Sequence, residues 1–491
     1  MRDSCFMKDK RPALLFFCLA LIFTAALCIR FYHLSFFEFN NDQLGAILLG
    51  NDARAHHFLI THGMDSGVKF SNPPYFIYLM GALTYFSNDP YFLTAFFTIL
   101  NLLALALAMR YFCLFLPAGY AVLSSLLLAF SPAFIMYSSN IWAQCALPLF
   151  MVFFHFCFYK FVKEENPVYF IMLVLIAGLA SQIHMSGFFL FPAILILGFK
   201  YKGMINKKHL ILAGILLLVI FLPYLYHLFV EGEIRKVFAH AQGRNQVPWN
   251  IFRSHVWFTS IDFFRRLFRQ DFLKVLSHSL GVFGLIIYVF TYIIPALFIY
   301  GFFSYVKFLV KEKSLFRKDS DTEPLPLQIS GFLVVVITLG YLVFSVRTPL
   351  HYLIVLFPCH AIITAYGAWK FWRYRIMRIG VVISIIATIA LTIVVLCFLD
   401  GAGGHWCQYG PSYKFLNDLR GKIHLLAQKG GFCPDLRLVV PEKGKFDENA
   451  IRFILAGDYV CKNGAKPLPL DLSITWDAQS MRYDYTLVNG E

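Results

Sequence analysis

Apolar runs of about twenty residues recur along most of this chain, separated by short polar stretches, and they fade only near residue 400. A run of that length spans the hydrocarbon core of a bilayer as a helix. The pattern predicts helices at roughly 12–31, 90–109, 116–132, 145–162, 167–183, 185–200, 208–228, 280–305, 328–346, 350–368 and 378–399, about eleven spans in all. Residues 73–87 are also apolar, but a crossing there would break the charge parity described below. A short segment that dips into the outer face and returns is predicted instead. Between the spans, Ile261, Phe264, Phe268, Phe272 and Leu276 form one helical stripe, with Arg265, Arg266 and Arg269 off it. That spacing predicts a helix lying in the membrane interface. After residue 400, glycines, prolines and short β-like runs such as 436–440 predict a small α/β domain of about ninety residues, 400–491, following a transmembrane module, 1–399.

Charge sets the orientation. Lys and Arg cluster at the N-terminus, Arg110, Lys160 with Lys163, Lys200 to Lys208, Lys307 to Lys318, and Lys370 to Arg378. With eleven spans all of these fall on one side, which the positive-inside rule makes cytoplasmic. The outer side then holds a first loop over about 32–89, a short loop at 133–144, a second large loop over about 229–279, and the tail. The first apolar run lacks a convincing small-residue cleavage site and reads as an uncleaved helix.

Composition agrees with a mostly α, polytopic membrane protein. The 491 residues are 59% hydrophobic and 14% charged, with mean hydropathy +0.64, where soluble proteins carry about 25% charged residues. The formal net charge of +15 does not point to nucleic acid, because the cations sit between apolar segments. Most of the 11 cysteines, such as Cys18, Cys28, Cys157 and Cys397, fall inside apolar runs and read as small buried hydrophobes. Cys407, Cys433 and Cys461 lie in the polar tail. A Cys433–Cys461 disulfide is compatible with an oxidising compartment, but spacing does not set the pairing.

The chemistry-bearing residues gather on the outer rim. Asp42 follows the first span, in Phe36-Phe-Glu-Phe-Asn-Asn-Asp-Gln43, and fits either the N-cap of a helix starting at Gln43 or a catalytic carboxylate. Asp52, Arg54, His56, His57 and His62 follow. Their spacing lacks the i,i+4 histidine pair of a helical zinc site and fits a polar helix face. Ser71-Asn-Pro-Pro74 marks a rigid corner. Gln182-Ile-His184, Arg347 and His351-Tyr352 place polar groups at span ends. The 229–279 loop carries eight cations, Arg235, Lys236, Arg244, Arg253, Arg265, Arg266, Arg269 and Lys274, against four acids. These suit anionic lipid surfaces or capture of a phosphate.

In order along the chain, Asn41-Asp42-Gln43, Asn72-Pro73-Pro74, Ser131-Pro132 through Tyr137-Ser138, Ile141-Trp142-Ala-Gln144, Gln182-Ile-His184, Pro223-Tyr224, His351-Tyr352 and Gln408-Tyr409-Gly410 resemble the GT-C glycosyltransferases. The likeness is to the dolichyl-phosphate-mannose protein mannosyltransferases and their bacterial relatives, which include the aminoarabinose transferase acting on lipid A. It covers roughly residues 12–410. Two positions depart from that pattern: Gln43 replaces the commoner Glu, and Ser139 replaces a frequent Arg.

The resemblance implies a GT-C fold with interfacial helices in the first outer loop, and a multi-pass protein of the bacterial inner membrane with its active site on the outer face. It implies transfer of a sugar from a polyprenyl-phosphate donor to a hydroxyl of a lipid, glycan or protein acceptor, with Asp42 as catalytic base. Arg235, Lys236, Arg244, His184 and Arg347 would hold the donor phosphate. Gln43, Asn72, Tyr137, Trp142, Gln144, His351 and Tyr352 would line the substrate pocket. Membrane lipids are further partners and nucleic acid is not. No cofactor is implied, and a divalent metal is possible. Two rivals remain: a lipid-linked-sugar transporter, and a non-catalytic relative that binds such a lipid.

Overall fold

A computed structural model describes residues 12–65, 71–235, 249–312, 314–317, 323–344, 349–407, 409–430, 433–439, 448–455, 467–477 and 479–489. Lys236, Arg244, Gln408, Cys461 and Arg347, and the side chain of Cys433, lie outside the described residues.

Two shorter helices, α2 (Asn41–Ala55) and α3 (Tyr75–Thr84), follow α1 (Pro12–Leu34) in the first outer loop. At 10 residues, about 15 Å, α3 is too short to cross a bilayer. Next come α4 (Pro90–Phe115), α5 (Ala118–Ala129), α6 (Pro132–Ser138), α7 (Leu147–Glu164), α8 (Pro167–Ile183), α9 (Phe191–Lys200) and α10 (Lys207–Phe229). Three of these starts share one local code. Asp89, Ser131 and Asn166 each accept a backbone N–H of the first turn, and a proline follows directly. The cap satisfies a donor the helix cannot, and proline at the first helical position has no N–H to lose.

The second large loop contains α11 (Asn250–Phe258) and α12 (Phe263–Phe268). The stripe from Ile261 to Leu276 is buried throughout, but it is not one helix. Arg269 takes a positive φ of 51°, which ends α12, and α13 (Phe272–Phe290) begins after a short 3-10 turn. A second break, at Gly281 with φ 59°, kinks α13, where glycine alone tolerates the left-handed backbone cheaply. The single 280–305 span is therefore two helices, since α14 (Ile293–Glu312) starts after Thr291 and Tyr292. The remaining helices of the bundle are α15 (Leu325–Val343), α16 (Cys359–Phe371) and α17 (Arg375–Ala402).

Among the described residues seven helical stretches are long and apolar enough to cross a membrane, and up to nine if each bent pair counts as one span. The bent pairs are α5 with α6, at 55°, and the 3-10 turn Leu350–Leu356 with α16, at 75°. The expected eleven also included α8 and the Met185–Lys200 helix, which are shorter.

The bundle closes backbone to backbone where α14 meets α16. A methyl group added at Gly301 would lie 2.2 Å from the Ile363 carbonyl oxygen, and one at Gly367 2.2 Å from that of Leu297. Small residues allow such close approach in membranes. Gly367→Ala is expected to separate the helices at a cost of about 1–3 kcal/mol, read as a lower melting temperature in detergent. An unchanged melting temperature would contradict the contact.

The tail is mixed α/β, as its pattern predicts. After a two-residue bridge between β1 (Gly404–His405) and β2 (Gly410–Pro411) come α18 (Tyr413–Gly430), β3 (Cys433–Val439), α19 (Glu448–Leu455), β4 (Pro467–Asp477) and β5 (Arg482–Asn489). β4 is central, parallel to β3 and antiparallel to β5. The tail holds the first outer loop in place. Tyr409 donates to the Phe36 carbonyl at 2.5 Å, the Tyr413 backbone N–H to that of Phe37 at 3.0 Å, and the Ala450 N–H to Asn41 Oδ1 at 3.2 Å. Phe453 of α19 stacks on Phe39.

Candidate active site

The start of α2 is built from three consecutive capping residues. Asn40, not Asp42, is the N-cap: its Oδ1 accepts from the N–H groups of Asp42 at 3.0 Å and Gln43 at 3.3 Å. This corrects the expected cap and leaves the Asp42 carboxylate exposed in the first turn. The positive end of a helix favours negative charge there. The amide of Asn40 donates to Glu38 Oε1 at 2.8 Å, so one side chain holds the Glu38 carboxylate and the backbone of Asp42.

Asp42 opens into a cleft of about 700 Å³, walled by Asn72 and Pro73 from the Pro-Pro corner, Trp142 and Gln144, His184, and His351 and Tyr352. His184 Nε2 lies 2.8 Å from the Gln144 carboxamide, and its Nδ1 2.8 Å from Ser186 Oγ. Rings tile the floor: His351 meets Trp142 edge-on at 5.1 Å, and Tyr352 meets His184 at 5.1 Å. A second cleft of about 730 Å³ adjoins it and shares Trp142 and His351 as its wall. It contains Glu38, Asn40, Tyr137, Asn140, Phe263 and Arg266.

Several polar atoms in these walls have no hydrogen-bond partner among the described residues: Asn72 Oδ1, Asn140 Oδ1 and the indole N–H of Trp142. Unmet buried polar groups cost about 1–3 kcal/mol each, so an acceptor–acceptor–donor set in a cleft suits a hydroxyl-rich ligand. Among the described residues, Arg266 is the Lys or Arg that lines these clefts. Its neighbour Arg265 pairs with Asp262 at 3.6 Å, and Lys274 with Asp271 at 2.9 Å. Arg266 has no ion pair among the described residues.

The structure thus brings together Asp42, Asn72, Tyr137, Trp142, Gln144, His184, His351 and Tyr352. It does not bring in Gln43, which is fully buried, has neither amide atom bonded among the described residues and lies outside both clefts. One helical step, about 100°, from Asp42 turns it into the face packed on α3. Arg235 is exposed and also outside both clefts. Sequence reasoning missed Glu38, Asp65, Asn140 and Arg266 as site residues. Arg266 was visible as a cation off the apolar stripe, but eight such cations are equivalent until the loop is folded.

The histidines of the first loop separate. His56 and His57 are exposed, whereas His62 stacks on His227 at 4.3 Å and approaches Glu231, which also bonds His227 at 2.6 Å and Thr61 at 2.7 Å. The ligand atoms of His62, His227 and Glu231 lie within 4.8 Å of one another and would fit a divalent metal. Burial and then the adjacent His227 hold His62 below its ordinary value. The Thr61 hydroxyl, with His227, holds Glu231 below the usual carboxylate range. A histidine depressed on folding stabilises the fold above its unfolded value, and that contribution is lost as pH falls below it. In metal-free protein, amide protection at residues 59–64, with exchange rates corrected for their intrinsic fall in acid, is therefore expected to drop on acidification from about pH 7 to about pH 5. His62→Gln should flatten the dependence, and a pH-independent wild type would refute it.

Residues 71–227 match the family model described as dolichyl-phosphate-mannose-protein mannosyltransferase. A search of curated proteins finds no match. Among solved structures, ArnT from Cupriavidus metallidurans bound to undecaprenyl phosphate is similar with a TM-score of 0.51 and 12% identity, over 96% of this chain and 97% of that one. The same protein in the apo state gives 0.52 and 12%, over 97% and 98%.

Proposed function

We propose that this chain, by family model and fold a membrane glycosyltransferase of the GT-C class, moves a sugar from a polyprenyl-phosphate donor to a hydroxyl acceptor on the outer face of a bacterial inner membrane. The observation that carries this reading is the pair of clefts sharing the Trp142–His351 wall, one holding Asp42 and the other Arg266. The undecaprenyl phosphate in the similar ArnT structure supports a donor of that type.

The donor phosphate sits with Arg266. Its polyprenyl chain runs into an apolar groove of about 610 Å³ lined by Phe134, Phe258, Leu356 and Phe357 among others. That groove lies against α6, which also supplies Tyr137 to the second cleft. The acceptor hydroxyl enters the first cleft. Its proton passes to the Asp42 carboxylate as its oxygen bonds the anomeric carbon. The bond from that carbon to the phosphate oxygen breaks, and its electron pair leaves with polyprenyl phosphate. Arg266 stabilises the charge that grows there, so the leaving group needs no proton. Asn72, Asn140 and Trp142 hold the sugar hydroxyls.

Purified protein given a polyprenyl-phosphate sugar and lipid extract should release polyprenyl phosphate together with a glycosylated acceptor, both read by mass spectrometry. Donor turnover that is absent with every polyprenyl-phosphate sugar tried would sink the reading. Trp142→Phe keeps a six-membered aromatic ring against Tyr137 and His351 and removes the N–H together with the pyrrole part of the indole. It should lower kcat/KM about 3–10-fold, the worth of one net hydrogen bond.

A further inference from the structure

Asp271, His405 and Cys407 meet where α17 hands over to the tail, outside both clefts. Asp271 closes the 3-10 turn Arg269–Asp271 between α12 and α13, and His405 and Cys407 flank Trp406 in the first residues after α17. One carboxylate oxygen, one imidazole nitrogen and one sulfur lie within 4.8 Å of one another. His405 is fully buried, in a cage of Phe268 at 4.7 Å and Trp476 at 4.9 Å. Its Nδ1 faces the Cys407 N–H at 3.3 Å, while Nε2 is buried with no partner among the described residues. With Nδ1 accepting, the neutral ring carries its proton on Nε2 as an unmet donor; ligation through Nε2 moves that proton to Nδ1 and displaces the Cys407 N–H contact.

The bland alternative is a polar cluster satisfied by hydrogen bonds. Trp406 Nε1 donates to Asp271 at 2.9 Å, Lys274 reaches its other oxygen at 2.9 Å, and the Cys407 thiol faces the Phe268 carbonyl at 3.5 Å. These contacts do not fill the carboxylate, which offers about four lone-pair sites. They also leave the buried imidazole nitrogen unexplained. An indole N–H on a ligating carboxylate is the kind of outer partner that orients metal ligands.

We infer that this junction is a divalent metal site of the zinc type, with Asp271, His405 and Cys407 as ligands and a water in the fourth position. Tetrahedral zinc, with bonds near 2.3 Å to sulfur and 2.0 Å to nitrogen, needs ligand atoms about 3.5 Å apart. The set must close by about 1 Å, and the exposed Lys274 side chain is free to swing away. Sulfur binds as thiolate, so metal uptake releases the Cys407 proton to solvent. The metal would tie the end of α12, which carries Arg266, to the last helix and the tail. That consequence rests on the proposed function; metal binding itself does not.

The test is titration of the full-length, reduced, metal-free protein in detergent with cobalt(II). Wild type is expected to bind one ion at this junction, with a thiolate-to-cobalt charge-transfer band in the near ultraviolet and the visible bands of a tetrahedral site, whether or not the first-loop cluster takes a second. Cys407→Ser should lose that band, and Asp271→Asn should weaken binding by more than about 100-fold, since even partners one shell out are worth roughly 10–100-fold. His62→Ala should leave the band intact, which separates this site from the cluster in the first loop. Circular dichroism on each variant keeps misfolding from passing for lost binding. The inference is overturned by a wild type without the band, by an undiminished band in Cys407→Ser, or by wild-type affinity in Asp271→Asn.

Discussion

Asp42→Asn is expected to cut sugar transfer by about 10²–10⁴-fold, the range for loss of a positioned general base, while the protein melts at the wild-type temperature. The second half of that expectation comes from the local structure. The α2 N-cap is Asn40, whose Oδ1 bonds the backbone of residues 42 and 43, so changing the Asp42 side chain leaves the helix start intact. The carboxamide has nearly the same shape and cannot take the acceptor's proton. Donor binding should therefore change little, and the loss should appear in kcat. Activity within about threefold of wild type would remove Asp42 from the chemistry, being under 1 kcal/mol of barrier. The paired clefts hold two other acids: Glu38, buried and bonded to Asn40, and Asp65, exposed and accepting from the Ser71 hydroxyl at 3.0 Å. An active Asp42→Asn beside a dead Glu38→Gln would move the base to Glu38.

Much of this arrangement was legible in the sequence because it rests on local rules. Membrane-length runs, proline after a capping residue and a β-like tail each depend on neighbours in the chain. The Pro-Pro corner is likewise local, and its Asn72 and Pro73 line the cleft that holds Asp42. What stayed hidden was decided by tertiary structure. Asn40-Asn41-Asp42 offers three residues that all cap well, and only packing chooses among them, since Asn41 is taken by the N–H of Ala450 from the tail. Gln43 and Asp42 are adjacent in sequence but point to opposite fates, one sealed against α3 and one open. The apolar stripe at 261–276 was real, yet periodicity says nothing about a break at Arg269, where the backbone turns left-handed. That break reorients the loop's cations. Arg265 goes to Asp262 and Lys274 to Asp271, which leaves Arg266 at the second cleft, while Arg235, an equal candidate by composition, is exposed outside it.

Arg266 therefore carries the second large prediction. Arg266→Gln is expected to lower kcat about 10²–10³-fold, the cost of removing one preorganised donor from a developing anion. The leaving phosphate gains charge as its bond to the sugar breaks, so the loss should exceed any rise in donor KM. Arg266→Lys restores the charge but not the two-pronged fork that matches a phosphate, and it should recover only part of the rate. A merely structural role would give the opposite ordering of observables: both variants would melt earlier, and kcat of the folded fraction would stay normal. Arg235→Gln supplies the contrast, because that side chain lies outside both clefts and its loss should leave turnover near wild type. If Arg235→Gln were the dead enzyme and Arg266→Gln the active one, the donor phosphate would bind elsewhere in the second outer loop, and the two-cleft assignment would fall with it.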